Sequence, residues 1–290
     1  LAVLVFHRVT DEIAEDGLTV GTARFRAICD LLRRRFRVVP LGEVFRLVRG
    51  APVPAGQARQ ARTGSGPAPR RTVAVTFDDC YRDNLPAARV LAEHGLPACF
   101  FIPTAYVGTD RVFPWDRHLK PLANLSWDEV RQIAGLGFEV GSHSVTHPDF
   151  ATLTAAEARR ELSESRAVLE ERLGRRVRWF AYPFGGRNNF RPEWLPLLEE
   201  AGYEGAVSAY GRLVAPGDAA GVLPRVPAPA FKSLSHLELY LAGCLRWFYG
   251  AKDRVGLLKR VETVTTTAYV EHRGDASRPA DPGGAARSAK

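Results

Sequence analysis

The sequence predicts an α/β protein whose mostly parallel strands close, or nearly close, into a barrel. Three observations carry this. Short apolar runs rich in Val, Phe and Ile alternate with amphipathic helical stretches, the pattern of strand–helix–strand crossovers. About seven or eight such units fit the chain, which suits a barrel better than an open sheet. The unusual polar residues His7, Asp78 with Asp79, His143 with His147, and Tyr182 each follow the end of a separate run. On parallel strands those ends share one face, the face on which such barrels carry their chemistry.

Residues 1–6 form a continuous apolar run ending in His7 and Arg8. Thr22 reads as the N-cap of a helix over 22–35, with Phe25, Ile28, Leu31 and Leu32 on one face. A short strand over 36–39 and a helix over 41–49, closed by Gly50, follow. Residues 51–71 hold Pro, Gly, Ala, Arg and Gln with almost no large apolar side chain, and read as a mobile surface loop. The strand over 73–77 runs into Asp78 and Asp79, a helix over 85–94 stops at Gly95, and 98–102 is the next strand. Residues 103–125 are irregular, with an aromatic patch at Phe113, Pro114, Trp115 and Asp116.

Ser126 with Glu129 and Thr154 with Glu157 match capping boxes, for helices to Leu136 and Leu173. Between them a strand over 138–141 leads into His143 and His147. A strand over 177–182 precedes Pro183, a helix covers 192–201, and strands follow over 203–208 and 222–226. Residues 234–248 form an amphipathic helix. From 261 the chain turns polar and then rich in Gly, Pro and Ala. The expected organisation is one barrel domain over 1–260, with 51–71 as an insertion and 261–290 as a disordered tail.

Composition narrows the function. Hydrophobic residues make up 46% and charged residues 25% of the 290, ordinary for a soluble globular protein. No apolar run reaches the ~18 residues that span a bilayer. The chain opens on Leu1 and contains no Met, so its start reads as trimmed. That leaves cell-envelope or extracytoplasmic and cytoplasmic settings both open. Lys plus Arg number 40 against 32 Asp plus Glu, a net charge of +8. Arginines gather at 33–35, 70–71 and 175–178 and read as solvated basic faces, with an anionic polymer or membrane surface as the lesser reading. No nucleic-acid-binding motif accompanies them. The cysteines, Cys29, Cys80, Cys99 and Cys244, include no C-x-x-C pair, which argues against a disulfide scaffold; Cys29, Cys99 and Cys244 read as core.

The chemistry lies in the polar motifs. Adjacent carboxylates at a strand end can both turn into one site, where one binds a metal and the other takes protons. Taken alone, Asp78 and Asp79 read equally well as a polar turn. On a helical turn the four-residue spacing of His143 and His147 places two imidazoles on one face. Two His and a carboxylate leave zinc open positions for water and substrate.

These motifs, Phe77-Asp78-Asp79, Gly141-Ser142-His143-Ser144-Val145-Thr146-His147 and Phe180-Ala181-Tyr182-Pro183-Phe184-Gly185, resemble in order and separation those of the polysaccharide deacetylases, carbohydrate esterase family four. The resemblance runs from about His7 to Arg225 and implies a distorted (β/α)7 barrel. It implies Asp78 as general base, Asp79, His143 and His147 as ligands of a divalent metal, commonly zinc, and the backbone amide of Tyr182 as oxyanion donor. The implied reaction removes N-acetyl groups from amino sugars of a saccharide or glycolipid. An O-acetyl esterase on the same scaffold, a non-catalytic carbohydrate-binding relative and a basic scaffold on an anionic polymer are the alternatives.

Cys80 stands where the family usually has Gly, which adds strain if the turn needs a positive φ. Ala181 stands where many members have an Arg that tunes the base, and Arg225 is the candidate replacement. The family's late Leu-x-His acid has no clear counterpart; His7 is the candidate proton donor or substrate ligand. Trp115 and Asp116, beside Phe113, are candidates for a sugar-stacking wall, and Pro183 and Arg225 for further substrate contacts. The oligomeric state is open.

Overall fold

The computed structural model describes residues 1–50, 71–186, 188–209, 211–215, 218 and 221–245. The tail expected over 261–290, and all but the last residue of the loop expected over 51–71, lie outside them.

Strands β1 (Ala2–Phe6), β5 (Thr72–Phe77), β6 (Cys99–Ile102), β7 (Glu139–Ser142), β8 (Trp179–Ala181) and β9 (Gly205–Val207) lie side by side and all run parallel. Strand β4 (Arg37–Val38) pairs with the start of β5. The expected last strand is broken in two. Strand β10 (Val222–Leu223) pairs with β9 on one edge, and β11 (Val226–Pro227) pairs with β1 on the other. The curled sheet therefore meets itself on one segment, 222–227, in a distorted barrel. The break falls at Pro224, which has no N–H to give a ladder, and at Arg225, whose side chain bonds the Ser208 carbonyl at 2.7 Å. A small pair, β2 (Arg8–Val9) with β3 (Thr19–Val20), lies outside the barrel. Two-residue strands carry no period, so the sequence offered no signal for it.

Alternation sorts the core into two layers. Val3, Ala74, Cys99, Phe101, Trp179, Ala181, Val207 and Leu223 form one cluster, the barrel interior. Helix α2 (Leu41–Val48) plugs its lower end with Leu41, Val44 and Phe45, and Phe45 stacks on Trp179 at 4.5 Å. The neighbouring strand residues, Leu4, Phe6, Val75, Phe77, Phe100 and Phe180, pack outward into the larger cluster. There they meet helices α1 (Thr22–Arg35), α3 (Asn84–Glu93), α4 (Trp127–Gly135), α5 (Ala155–Leu173), α6 (Leu195–Glu200) and α7 (Leu234–Leu241).

Both expected capping boxes are present, on α4 and α5. Thr22 is the first helical residue, not the cap. Its N–H is met by Asp11 from the preceding loop at 2.9 Å, a long-range cap that local spacing does not reveal. Helix α7 ends at Leu241, with Gly243 at φ 71° just beyond; the rest of the helix expected to 248 falls partly outside the described residues. Cys29 and Cys99 are buried as expected, but Cys244, just past α7, is exposed. No described helix is long and apolar enough to cross a membrane.

Gly141 shows how tightly the barrel is closed. A Cβ there would lie 2.4 Å from Phe101 Cε1 and 2.9 Å from the Trp179 carbonyl oxygen, which is backbone and cannot swing away. Gly141→Ala should therefore cost about 1–3 kcal/mol, read as a lower thermal midpoint.

Candidate active site

The three motifs follow β5, β7 and β8 and meet at the C-terminal end of the barrel. Among the described residues, all five non-glycine residues with positive φ lie in these motifs or directly after the first: Asp79 (75°), Cys80 (52°), Ser144 (69°), His147 (59°) and Phe184 (62°). The left-handed turn at Asp79 and Cys80 lets consecutive aspartates both face the site, which a continuing strand forbids. Cys80 occupies the positive-φ position that the resemblance flagged. Its thiol is buried, pushed well above the usual thiol range by desolvation, and is not one of the grouped metal donors.

His143 and His147 do meet, but not on a helical turn. The segment is a loop bent at Ser144 and His147, and its ring centroids lie 4.7 Å apart. Ser144 Oγ accepts the His147 N–H at 3.0 Å, so this hydroxyl satisfies the loop backbone. Glu161 of α5, which sequence reasoning missed, accepts from the N–H groups of Val145 and Thr146 at 2.8 and 3.0 Å and from the Thr146 hydroxyl at 2.7 Å. In the sequence it is one glutamate on a charged helix; only the packing of α5 under the loop sets it apart.

Asp79 Oδ1 lies 3.4 Å from Nε2 of His143 and 3.4 Å from Nε2 of His147. The three donor atoms fall within 4.8 Å of one another, all on buried residues, and among the described residues no hydrogen-bond partner meets Asp79 Oδ1. His143 Nδ1 lies 2.8 Å from the Ala181 carbonyl oxygen, which fixes the tautomer with the Nε2 lone pair facing Asp79. An unpaired buried oxygen beside two imidazole nitrogens is a donor set that fits a divalent ion. Burial raises the Asp79 pKa, but the neighbouring imidazoles outweigh it and hold the carboxyl well below its usual range.

Asp78 faces the same site but is held differently. Arg225 Nη1 and Nη2 donate to its two oxygens at 2.7 and 2.6 Å, and Nη1 also reaches Thr76 Oγ1 at 3.1 Å. Burial opposes ionisation; the charge of Arg225, then that of His143, outweighs it and lowers the Asp78 pKa. Ala181 thus leaves no gap, because Arg225 comes from the barrel seam. That contact, and not one with a sugar, occupies the guanidinium.

His7, at the end of β1, is half-buried, and Asn84 donates to its carbonyl at 2.8 Å. Burial lowers the imidazole pKa against the pull of Asp79 and Asp78. The sequence reading of Tyr182 needs correction. Its N–H donates to the Val207 carbonyl at 3.1 Å, continuing the ladder in which Ala181 pairs with Val207, so it is spent within the sheet. Pro183 is buried, has no N–H, and accepts from Gly185 through its carbonyl at 2.7 Å. The next amide along the motif is that of Phe184, whose ring lies 4.9 Å from that of His147.

The sugar-stacking wall is also corrected. Asp116 is 3% exposed and Trp115 6% exposed. Both Asp116 oxygens accept from protein donors, Arg8 and Tyr81, and Trp115 packs between Phe113 and His147. These residues face inward because the Arg8 charge needs a buried partner. His236, on α7, packs against Phe231.

This arrangement has counterparts among known proteins. The sequence model described as polysaccharide deacetylase matches residues 65–206. Over this stretch the chain resembles the polysaccharide deacetylases. The chitooligosaccharide deacetylase of Bradyrhizobium sp. (strain ANU 289) is 33% identical over 104 residues, 34% of this chain and 39% of that protein. The deacetylase PplD of Streptococcus pyogenes, solved with acetate, superposes with a TM-score of 0.68 at 18% identity, over 83% of this chain and 97% of that one. IcaB from Ammonifex degensii gives 0.61 at 23% identity, over 83% and 96%. The solved structures share the (β/α)7 barrel. The chain spans less than half the length of the curated relatives it matches, 44% of YxkH of Bacillus subtilis (strain 168) and 39% of the Bradyrhizobium enzyme.

Two outcomes test the electrostatics. Arg225→Met strands the buried Asp78 charge and should cost about 3–5 kcal/mol in denaturant unfolding. Adding Asp78→Asn to it should recover part of that loss. Asp83, four residues past Asp79, has its carboxyl pushed up to about 6 by burial. The folded state then binds a proton that the unfolded chain has released. Stability is full below pH ~4 and falls as pH rises towards ~6, by about 2–3 kcal/mol at most. Asp83→Asn should flatten this part of the profile of thermal midpoint against pH.

Proposed function

We propose that this protein is a metal-dependent hydrolase that removes N-acetyl groups from amino sugars of a polysaccharide, oligosaccharide or glycolipid. The observation that carries the reading is the convergence of Asp79, His143 and His147 beside a second carboxylate, Asp78, that is oriented separately by Arg225. Asp79, His143 and His147 would hold the ion, and we assign zinc from the donor set and its open positions. Such an ion supplies polarisation of an acetyl carbonyl and lowers the pKa of water.

The chain's own groups do the rest. Asp78 accepts the proton of the attacking water. Arg225 uses one direction at each carboxylate oxygen, and each retains a further lone-pair site. Arg225 also keeps Asp78 ionised and aimed, so it is a positioning residue. His7 is assigned the donation of a proton to the leaving amine. The Phe184 amide replaces that of Tyr182 as the donor assigned to the oxyanion, where a fixed N–H can contribute several kcal/mol. Support for acetyl transfer to water comes from what the chain resembles: one relative is named a chitooligosaccharide deacetylase, and one structural neighbour is a deacetylase solved with acetate.

The test is acetate release from N-acetylglucosamine oligomers and O-acetylated glycans, after chelator stripping and again after refilling with zinc. Metal-dependent release from the amides is expected. Asp79→Ala and His147→Ala should lose zinc and activity together, whereas Asp78→Asn should keep zinc and lose turnover. A near wild-type rate in Asp78→Asn would remove its role as base. His7→Gln should depress amide hydrolysis more than ester hydrolysis, because an alkoxide leaves with less protonation than an amine. Equal loss on both would end the assignment of His7 as acid.

A further inference from the structure

The two histidines of the site are aimed by different means. His143 is fixed through its Nδ1 contact with the Ala181 carbonyl oxygen, 2.8 Å away. The Nδ1 of His147 is buried, and no hydrogen-bond partner meets it among the described residues. Its ring is enclosed by other rings, with centroids at 5.5 Å for Phe113, 5.0 Å for Trp115 and 4.9 Å for Phe184. A metal-binding imidazole is ordinarily aimed by a hydrogen bond at its far nitrogen. Here the aim depends on where Phe113 and Trp115 sit.

Trp115 is tied through Tyr81 to one carboxylate, and Phe113 packs on both rings, with centroids 4.7 Å from Trp115 and 5.5 Å from Tyr81. Asp116 Oδ1 accepts from Arg8 Nη1 at 2.5 Å, and Oδ2 accepts from the Tyr81 hydroxyl at 2.5 Å. Trp115 Nε1 donates to the same hydroxyl at 3.3 Å, and the Arg8 guanidinium lies 5.6 Å from the centre of the Tyr81 ring. Arg8 also reaches Asp16 at 2.8 Å. Arg8 follows His7, and Tyr81 stands two residues after Asp79. One buried carboxylate therefore ties together the chain beside His7, the loop that carries Asp79, and the rings against His147. A charge this buried is tolerated because its partners are fixed, so the arrangement has little freedom to shift.

We propose that Asp116 is a positioning residue for the metal ligands: by holding Arg8 and Tyr81 it sets Phe113 and Trp115 against His147 and fixes the direction of that imidazole. The proposal rests on the metal-hydrolase reading above. It assigns Asp116 no contact with substrate.

The test compares the full chain with Asp116→Asn and Tyr81→Phe. It measures zinc affinity by chelator competition, the visible spectrum of the cobalt(II)-loaded protein, and the thermal midpoint. Asp116→Asn should weaken zinc binding by about 10–100-fold and alter the cobalt bands, as loss of an outer support does at other metal centres. Tyr81→Phe should move both readouts the same way by less. A merely structural role would lower the midpoint and leave affinity and spectrum at wild-type values; that result overturns the proposal. Should Asp116→Asn not fold, Tyr81→Phe and Trp115→Leu carry the test, and wild-type affinity and spectrum in both overturns it. A wild-type chain that binds neither zinc nor cobalt defeats the metal reading itself, and this proposal with it.

Discussion

The buried pair of Asp78 and Arg225 is the interaction on which the site depends. It joins the end of β5 to the segment where the barrel meets itself. Both groups sit above the apolar interior, with Arg225 at 1% exposure and its guanidinium 5.5 Å from the Phe101 ring centre. Neither charge is tolerable there alone. Together they spend four of the guanidinium's directions on Asp78, Thr76 and the Ser208 carbonyl. An interruption of the last strand is what frees Arg225 to turn inward. The seam is thus both a flaw in the ladder and the source of the group that aims Asp78.

Backbone strain is concentrated in the same place. Left-handed φ costs a non-glycine residue about 1–3 kcal/mol and persists only where surroundings enforce it. Each strained loop here has such an enforcer. The Cys80 carbonyl receives the Leu125 N–H at 2.8 Å; Glu161 clasps Val145 and Thr146; the Gly185 carbonyl receives the Ala209 N–H at 2.8 Å. The helices and the long loop after β6 therefore do more than cover the sheet. They hold the turns that let Asp79, His143 and His147 converge.

Charge is partitioned accordingly. Many of the described arginines pair with carboxylates at the surface, as Arg159 does with Glu200 and Arg178 with Glu204, where such pairs contribute little. Among the described residues Arg8 and Arg225 are the fully buried exceptions, and each reaches the site from a different side of the chain.

The sequence by itself determined the alternation of strands and helices, both capping boxes, and the residue types at the C-terminal strand ends. These follow from local period, cap chemistry and the fact that parallel strand ends share a face. Asp78, Asp79, His143 and His147 were legible for that reason, and Arg225 was legible as a candidate because Ala181 left a role unfilled. Tertiary structure alone decided the rest. Whether the Tyr182 amide is free depends on its partner Val207 in another strand, and whether Asp116 faces a sugar or an arginine depends on Arg8, which lies far from it along the chain. A loop bent by positive φ, not a helical turn, brings His143 and His147 together. Hydrogen-bond partners distant in sequence leave no periodic trace, so pairing, burial and the break in the last strand could be read only from the folded chain.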